Sequence, residues 1–286
     1  MDVLYKIQVR SCIDYMLPVY YHTLRQREKS RIEQIQYKAA KLASGALHYT
    51  SQLKLEKEMG WESITERADF LGLTLFHKIH THNTRPLIRN CMPRLADCNT
   101  RSIGTYLTFK YNGSDFNKSF FPYFTHLFNN LSTKLKNIGD VDLFKLELKN
   151  QIKPQKYKHF SKGNKIDNAL LTRIRVGRSH LNGHSYTIGM ANTPECLCHH
   201  PCENTEHYLL YCFLYEQERR TLFQSVRNLV PRFDKLAKKK QLEILLYGLD
   251  IENKEMNQLN AKILLFVQKF IIQTDRFEHP SSISSN

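Results

Sequence analysis

Apolar residues recur every three or four positions over most of this chain, the period of a helix with one buried face. From Val3 to Met16 ring and branched residues dominate, and Pro18 predicts the end of that helix. Ile32, Ile35, Ala39, Leu42 and Ala43 fall on one face of the next, with Arg27, Lys29, Arg31, Glu33, Lys38 and Lys41 elsewhere. Gly45 predicts its stop. A short helix over Ser51–Met59 ends at Gly60, and Trp61, the single tryptophan, follows. Ser63 and Glu66 form a capping box that opens a helix through Ala68, Leu71, Leu75 and Ile79, terminated at Arg85-Pro86.

From Asn90 to Lys162 the pattern changes. Ser102 to Tyr111, with Ile103, Tyr106, Leu107, Phe109 and Tyr111, has the composition of a strand, and Asn112-Gly113 predicts a turn. Phe120, Phe121 and Phe124 read as core, and Val141–Gln151 as a helix. Further on, Leu170–Leu181 reads as a helix broken near Gly177, Tyr215 to Leu229 as a helix stopped by Pro231, and Lys240 to Tyr247 as one stopped by Gly248. A last helix carries Leu259, Ile263, Phe266, Val267, Phe270 and Ile271 on one face, a stripe expected to be core. The expected fold is mainly α in three parts: a helical bundle over 1–90, a short β-containing linker region over 91–162, and a helical module over 163–286.

Charge adds a partner. Lys and Arg number 42 against 27 Asp and Glu, a formal net charge of +15, which favours a polyanion. The most basic stretch sets Lys153, Lys156, Lys158, Lys162, Lys165, Arg173, Arg175 and Arg178 against Asp167 alone, with Tyr157 and Phe160 interleaved. Cations beside aromatic rings suit a nucleic-acid backbone, and these eight are the candidate nucleic-acid-binding residues. No apolar run approaches the ~20 residues that cross a bilayer, so no membrane role is expected. Without a secretory signal at its start, the chain is expected to be intracellular, cytoplasmic or nuclear.

Chemistry concentrates in Glu195–Cys212, which holds four of the seven cysteines beside His199, His200 and His207. Cys196, Cys198, His207 and Cys212 give C-x-C-x8-H-x4-C; Cys198, Cys202, His207 and Cys212 give C-x3-C-x4-H-x4-C. Either set supplies three thiolates and one imidazole, the tetrahedral shell of a structural Zn2+, with no open position for a catalytic water. A helix from Thr205 sets His207 and Cys212 ~140° apart around its axis, so it must bend or end for both to reach one ion.

Several phrases carry a resemblance. Arg10-Ser-Cys-Ile-Asp-Tyr-Met-Leu-Pro-Val-Tyr-Tyr21, Ile32-Glu-Gln-Ile-Gln-Tyr-Lys-Ala-Ala-Lys41 and Met59-Gly-Trp-Glu-Ser-Ile-Thr-Glu-Arg67 resemble, in this order, the stretch after the palm of non-LTR (LINE-type) retrotransposon reverse transcriptases. In that family such segments form the thumb that grips template–primer duplex. Asn117-Lys-Ser-Phe-Phe-Pro-Tyr123 and His126-Leu-Phe-Asn-Asn-Leu131 resemble a linker phrase of the same elements, with Phe128 where Trp is usual. Leu170–Leu181, the Cys-x-Cys, Thr205-Glu-His-Tyr-Leu-Leu-Tyr-Cys212, Tyr215 and Arg219 resemble their C-terminal cysteine–histidine module. That likeness implies Cys196, Cys198, His207 and Cys212 as the zinc ligands, with Cys202 in the loop. It implies RNA or an RNA–DNA duplex as partner.

The resemblance covers a non-catalytic part of the family. A polymerase palm holds two Mg2+ ions on paired carboxylates, and this sequence contains no Asp-Asp pair. The expectation is a fragment without polymerase activity, lacking the upstream palm and endonuclease portion of its parent polyprotein. The alternative is a zinc-stabilised helical scaffold for protein–protein contact. From Glu195 to Leu229 five glutamates outnumber three arginines, which argues against phosphate binding by the knuckle itself.

Overall fold

The computed structural model describes residues 2–81, 86–96, 105–109, 113–152, 164–250 and 254–277. Its principal helices are α1 (Gln26–Ser44), α2 (Gln52–Met59), α3 (Ile64–Thr81), α4 (Phe120–Asn129), α5 (Val141–Ile152), α6 (Lys165–Arg175), α7 (Glu216–Arg227), α8 (Lys238–Tyr247) and α9 (Lys254–Gln273). The protein is mainly α-helical. Among the described residues there is no strand: the expected β element is reduced to one antiparallel bridge, Leu95 to Tyr106. Residues 102–104, 110–112 and 281–286 lie outside the described ones.

The chain divides into two units, one of residues 1–39 and 62–154, the other of 40–61 and 155–286. The first unit thus takes residues from both the expected bundle and the expected linker, while 40–61 and 155–162 fall in the second. No helix among the described residues is long and apolar enough to cross a membrane.

In the first unit, helix breaks follow local chemistry. The N-terminal helix ends before Met16, which is left-handed at φ 56°, and Pro18 sits in the first turn of the next segment, Leu17–Tyr20, rather than closing the one before. The capping box forms: Ser63 N–H donates to Glu66 Oε2 at 3.0 Å and Glu66 N–H to Ser63 Oγ at 3.2 Å. Helix α3 packs on α4 and α5. Phe76, Phe124, Phe128 and Phe144 are fully buried there, and Phe120 and Phe121 pack against them, so these rings are core. A Cβ at Gly72 would fall 1.9 Å from the Phe124 ring, so the missing side chain is what admits that ring against α3.

In the second unit α9 is the central helix, packed on α6, α7 and α8. Its stripe Ile263, Val267, Phe270 and Ile271 is buried, as its period predicts. Polar ties fix its register: Asn260 exchanges both amide hydrogen bonds with the Leu249 backbone, at 2.7 and 2.8 Å, and Gln268 donates to buried Asn168 at 2.8 Å.

Candidate metal centre

The metal loop begins with a tight reversal. His199 N–H donates to the Cys196 carbonyl at 2.8 Å, Cys196 N–H to the His200 carbonyl at 3.0 Å, and His199 takes the left-handed conformation at φ 63°. Amide N–H groups two residues on reach each sulfur: Cys198 to Cys196, His200 to Cys198 and Leu214 to Cys212. Such bonds favour thiolate over thiol.

The return path is a helical segment from Thr205, with Asn204 as its cap: Asn204 Oδ1 accepts from His207 N–H at 2.8 Å and its carbonyl from Tyr208 N–H at 3.0 Å. His207–Tyr211 is then a π-turn, and Cys212 N–H donates to the His207 carbonyl, five residues back, at 2.8 Å. An i→i+5 bond widens the turn, so residue i+5 sits closer to residue i around the axis than α-helical spacing would place it. The wider turn supplies the bend that an α-helical spacing of these two ligands would have required.

One ligand atom from each of Cys196, Cys198, His207 and Cys212 lies within 4.8 Å of the others, a buried cluster that can hold a metal ion. Cys196 Sγ is 3.6 Å from Cys212 Sγ, and Cys198 Sγ 3.2 Å from His207 Nε2. Zinc–ligand distances of ~2.3 Å to sulfur and ~2.0 Å to nitrogen give tetrahedral edges of about 3.8 and 3.5 Å, so these two edges are close to that size. Burial pushes the Cys196 thiol up to about 12 and the Cys212 thiol upward. At Cys198 burial also acts upward, but the His200 N–H and the neighbouring thiols outweigh it and the net direction is down. Burial lowers His207, assisted by His200, which keeps its imidazole neutral and Nε2 open to a metal.

Cys202 is outside the cluster. Its sulfur lies against Gly183, where an added Cβ would meet it at 2.8 Å and the Glu203 carbonyl at 2.9 Å. His200 stacks on His207 with ring centroids 4.0 Å apart. Several supporting residues escaped the sequence reading. Glu203, 1% exposed, binds Arg276 through both carboxylate oxygens and accepts from Asn182 N–H at 2.7 Å. Arg219, buried, donates to the Cys212 carbonyl. Only Asn204 had a local signal, a capping residue three positions before His207.

The candidate nucleic-acid residues separate. Lys153, Lys156, Lys158 and Lys162 lie outside the described residues. Lys165 is exposed at the start of α6. Arg175 is buried, 2.7 Å from Glu58 and stacked over Tyr247. Arg173 donates to the Gly45 carbonyl at 2.9 Å, and Arg178 to His184 Nε2 at 3.0 Å. These three guanidinium groups are therefore engaged within the module. Arg27, Arg31 and Lys38, at i, i+4 and i+11 of α1, are exposed on one stripe and form no ion pair among the described residues. No family model, curated protein or solved structure matches this chain.

Proposed function

We propose that this chain is the non-catalytic C-terminal part of a non-LTR retrotransposon reverse transcriptase, a structural-zinc protein that binds RNA or primer–template. The observation that carries the reading is the convergence of Cys196, Cys198, His207 and Cys212, the ligand set the family resemblance implies, into one buried cluster. Three thiolates and a neutral imidazole in that space suit Zn2+, and a filled shell makes it structural. The ordered thumb-like and linker-like phrases support the origin, and the charge of +15 supports a polyanionic partner. The exposed stripe of Arg27, Arg31 and Lys38 is a surface suited to phosphates. Zinc here shapes the module; the chain holds no paired aspartates for nucleotidyl transfer.

Fluorescence anisotropy of the full chain with an RNA–DNA hybrid, from about 50 to 200 mM salt, tests the partner. Log affinity falling linearly with log salt is expected. Absence of binding at the lowest salt would overturn the assignment.

A second reading, a zinc-stabilised scaffold for another protein, has its own observation. Leu197 and Phe213, beside the ligands, are 74% and 63% exposed, and Glu195 and Glu206 are exposed near them. An apolar surface with acidic neighbours suits a basic polypeptide better than phosphate.

A further inference from the structure

We infer that Arg219 is the counter-charge of the metal centre, a positioning residue that holds the zinc shell by neutralising it. This rests on the zinc reading above. Zn2+ with three thiolates and a neutral imidazole carries one net negative charge, which is costly in a buried site unless a cation stands beside it. Arg219 is 7% exposed and donates to the carbonyl of the ligand residue Cys212. Its field reaches both Cys212 and His207. Its NH1 is buried with no hydrogen-bond partner among the described residues.

The other charges nearby are accounted for differently. Arg276, a guanidinium whose field reaches Cys196, is already neutralised by Glu203 on two oxygens. Glu216 pairs with Arg220 on the surface. Glu218 is the one rival anion for Arg219, with Oε2 buried and unpartnered. A guanidinium fits the role because it stays charged when buried and its fork keeps one N–H on the Cys212 carbonyl while its charge acts on the Cys212 sulfur. Geometry and charge thus work together: the Cys212 carbonyl anchors the arginine, and the arginine lowers the cost of the third thiolate.

The test is zinc affinity of the full chain by competition with a chromophoric chelator, for wild type, Arg219→Gln, Arg219→Lys and Glu218→Gln. Loss of an outer-shell partner weakens metal binding ~10–100-fold, the range expected for Arg219→Gln, with Lys restoring most of it and Glu218→Gln leaving wild-type affinity. In Co2+-substituted protein the thiolate-to-metal charge-transfer band should move to lower energy in Arg219→Gln, a change that a merely structural role would not produce. Wild-type zinc affinity and an unshifted cobalt band in Arg219→Gln would overturn the inference and leave the metal centre standing. Glu218→Gln weakening zinc as much as Arg219→Gln would also overturn it, assigning the arginine to Glu218. A wild-type chain that takes up no zinc would instead overturn the metal centre itself.

Discussion

Glu203 and Arg276, 73 residues apart in sequence, meet as a two-pronged ion pair: Nε donates to Oε1 at 2.7 Å and NH2 to Oε2 at 2.6 Å. The same guanidinium donates to Asn182 Oδ1 at 3.1 Å, and Glu203 N–H to the Pro194 carbonyl at 2.8 Å. The loop between Cys198 and His207 is therefore tied both to the residues before it and to the segment after α9.

Glu203→Gln should destabilise this unit by about 2–4 kcal/mol, because removing one partner strands a buried charge; solvent contact of Arg276 places it below the fully buried case. Chemical denaturation of the zinc-loaded chain, followed by tyrosine and tryptophan emission, measures it. An unchanged midpoint would show that the pair contributes nothing net.

Cys202→Ala should retain one zinc per chain, whereas Cys196→Ala and Cys212→Ala should lose it, since Cys202 stands outside the four-atom cluster. Metal content by mass spectrometry of the purified variants decides the matter. Loss in Cys202→Ala with retention in Cys196→Ala would assign the C-x3-C-x4-H-x4-C set instead.

Gly183→Ala should weaken the module by about 1–3 kcal/mol, the range for overpacking, because the new methyl meets both a sulfur and a backbone carbonyl below 3.0 Å. Thermal unfolding compared with Cys202→Ala/Gly183→Ala separates the two contacts. The double variant relieves the sulfur but leaves the carbonyl, so only partial recovery is expected.

Replacing Arg27, Arg31 and Lys38 together by Ala should weaken binding to an RNA–DNA hybrid across all sequences and reduce the salt slope by about 2–3, roughly one per lost phosphate contact. Circular dichroism should be unaltered, as all three are exposed. An unchanged slope would remove this stripe from the interface.

His80, whose Nδ1 lies 2.5 Å from Tyr106 Oη, is pushed below its usual range by burial. Its folded pKa being the lower one, the unfolded chain binds the proton first as acid is added. The His80 contribution should therefore fall as pH drops through ~6.5 and level off below the folded value. Subtracting the pH profile of urea unfolding for His80→Gln from that of wild type isolates it. A difference that does not shrink toward low pH would contradict the burial argument.

On α1 the expected face is not the buried one: Ile35 and Leu42 are exposed, while Gln36 and Ala40 are buried. The sequence by itself determined the buried stripe of α9, the capping box at Ser63, the two candidate ligand sets and the lack of paired aspartates. Each is written in local spacing, where helical period, cap chemistry and ligand type act over a few residues. Tertiary structure alone decided what depends on distant partners. Arg175 reads as one more cation in a basic run until Glu58 meets it in the interior, and Gly72 is a neutral helix position until Phe124 packs on it. Of the expected strand near Tyr106, the described residues form one bridge, to Leu95, a pairing that composition alone does not specify. The π-turn at His207–Tyr211 belongs with these: an α-helical reading separates His207 from Cys212, and it is the convergence of the cluster that goes with the wider turn.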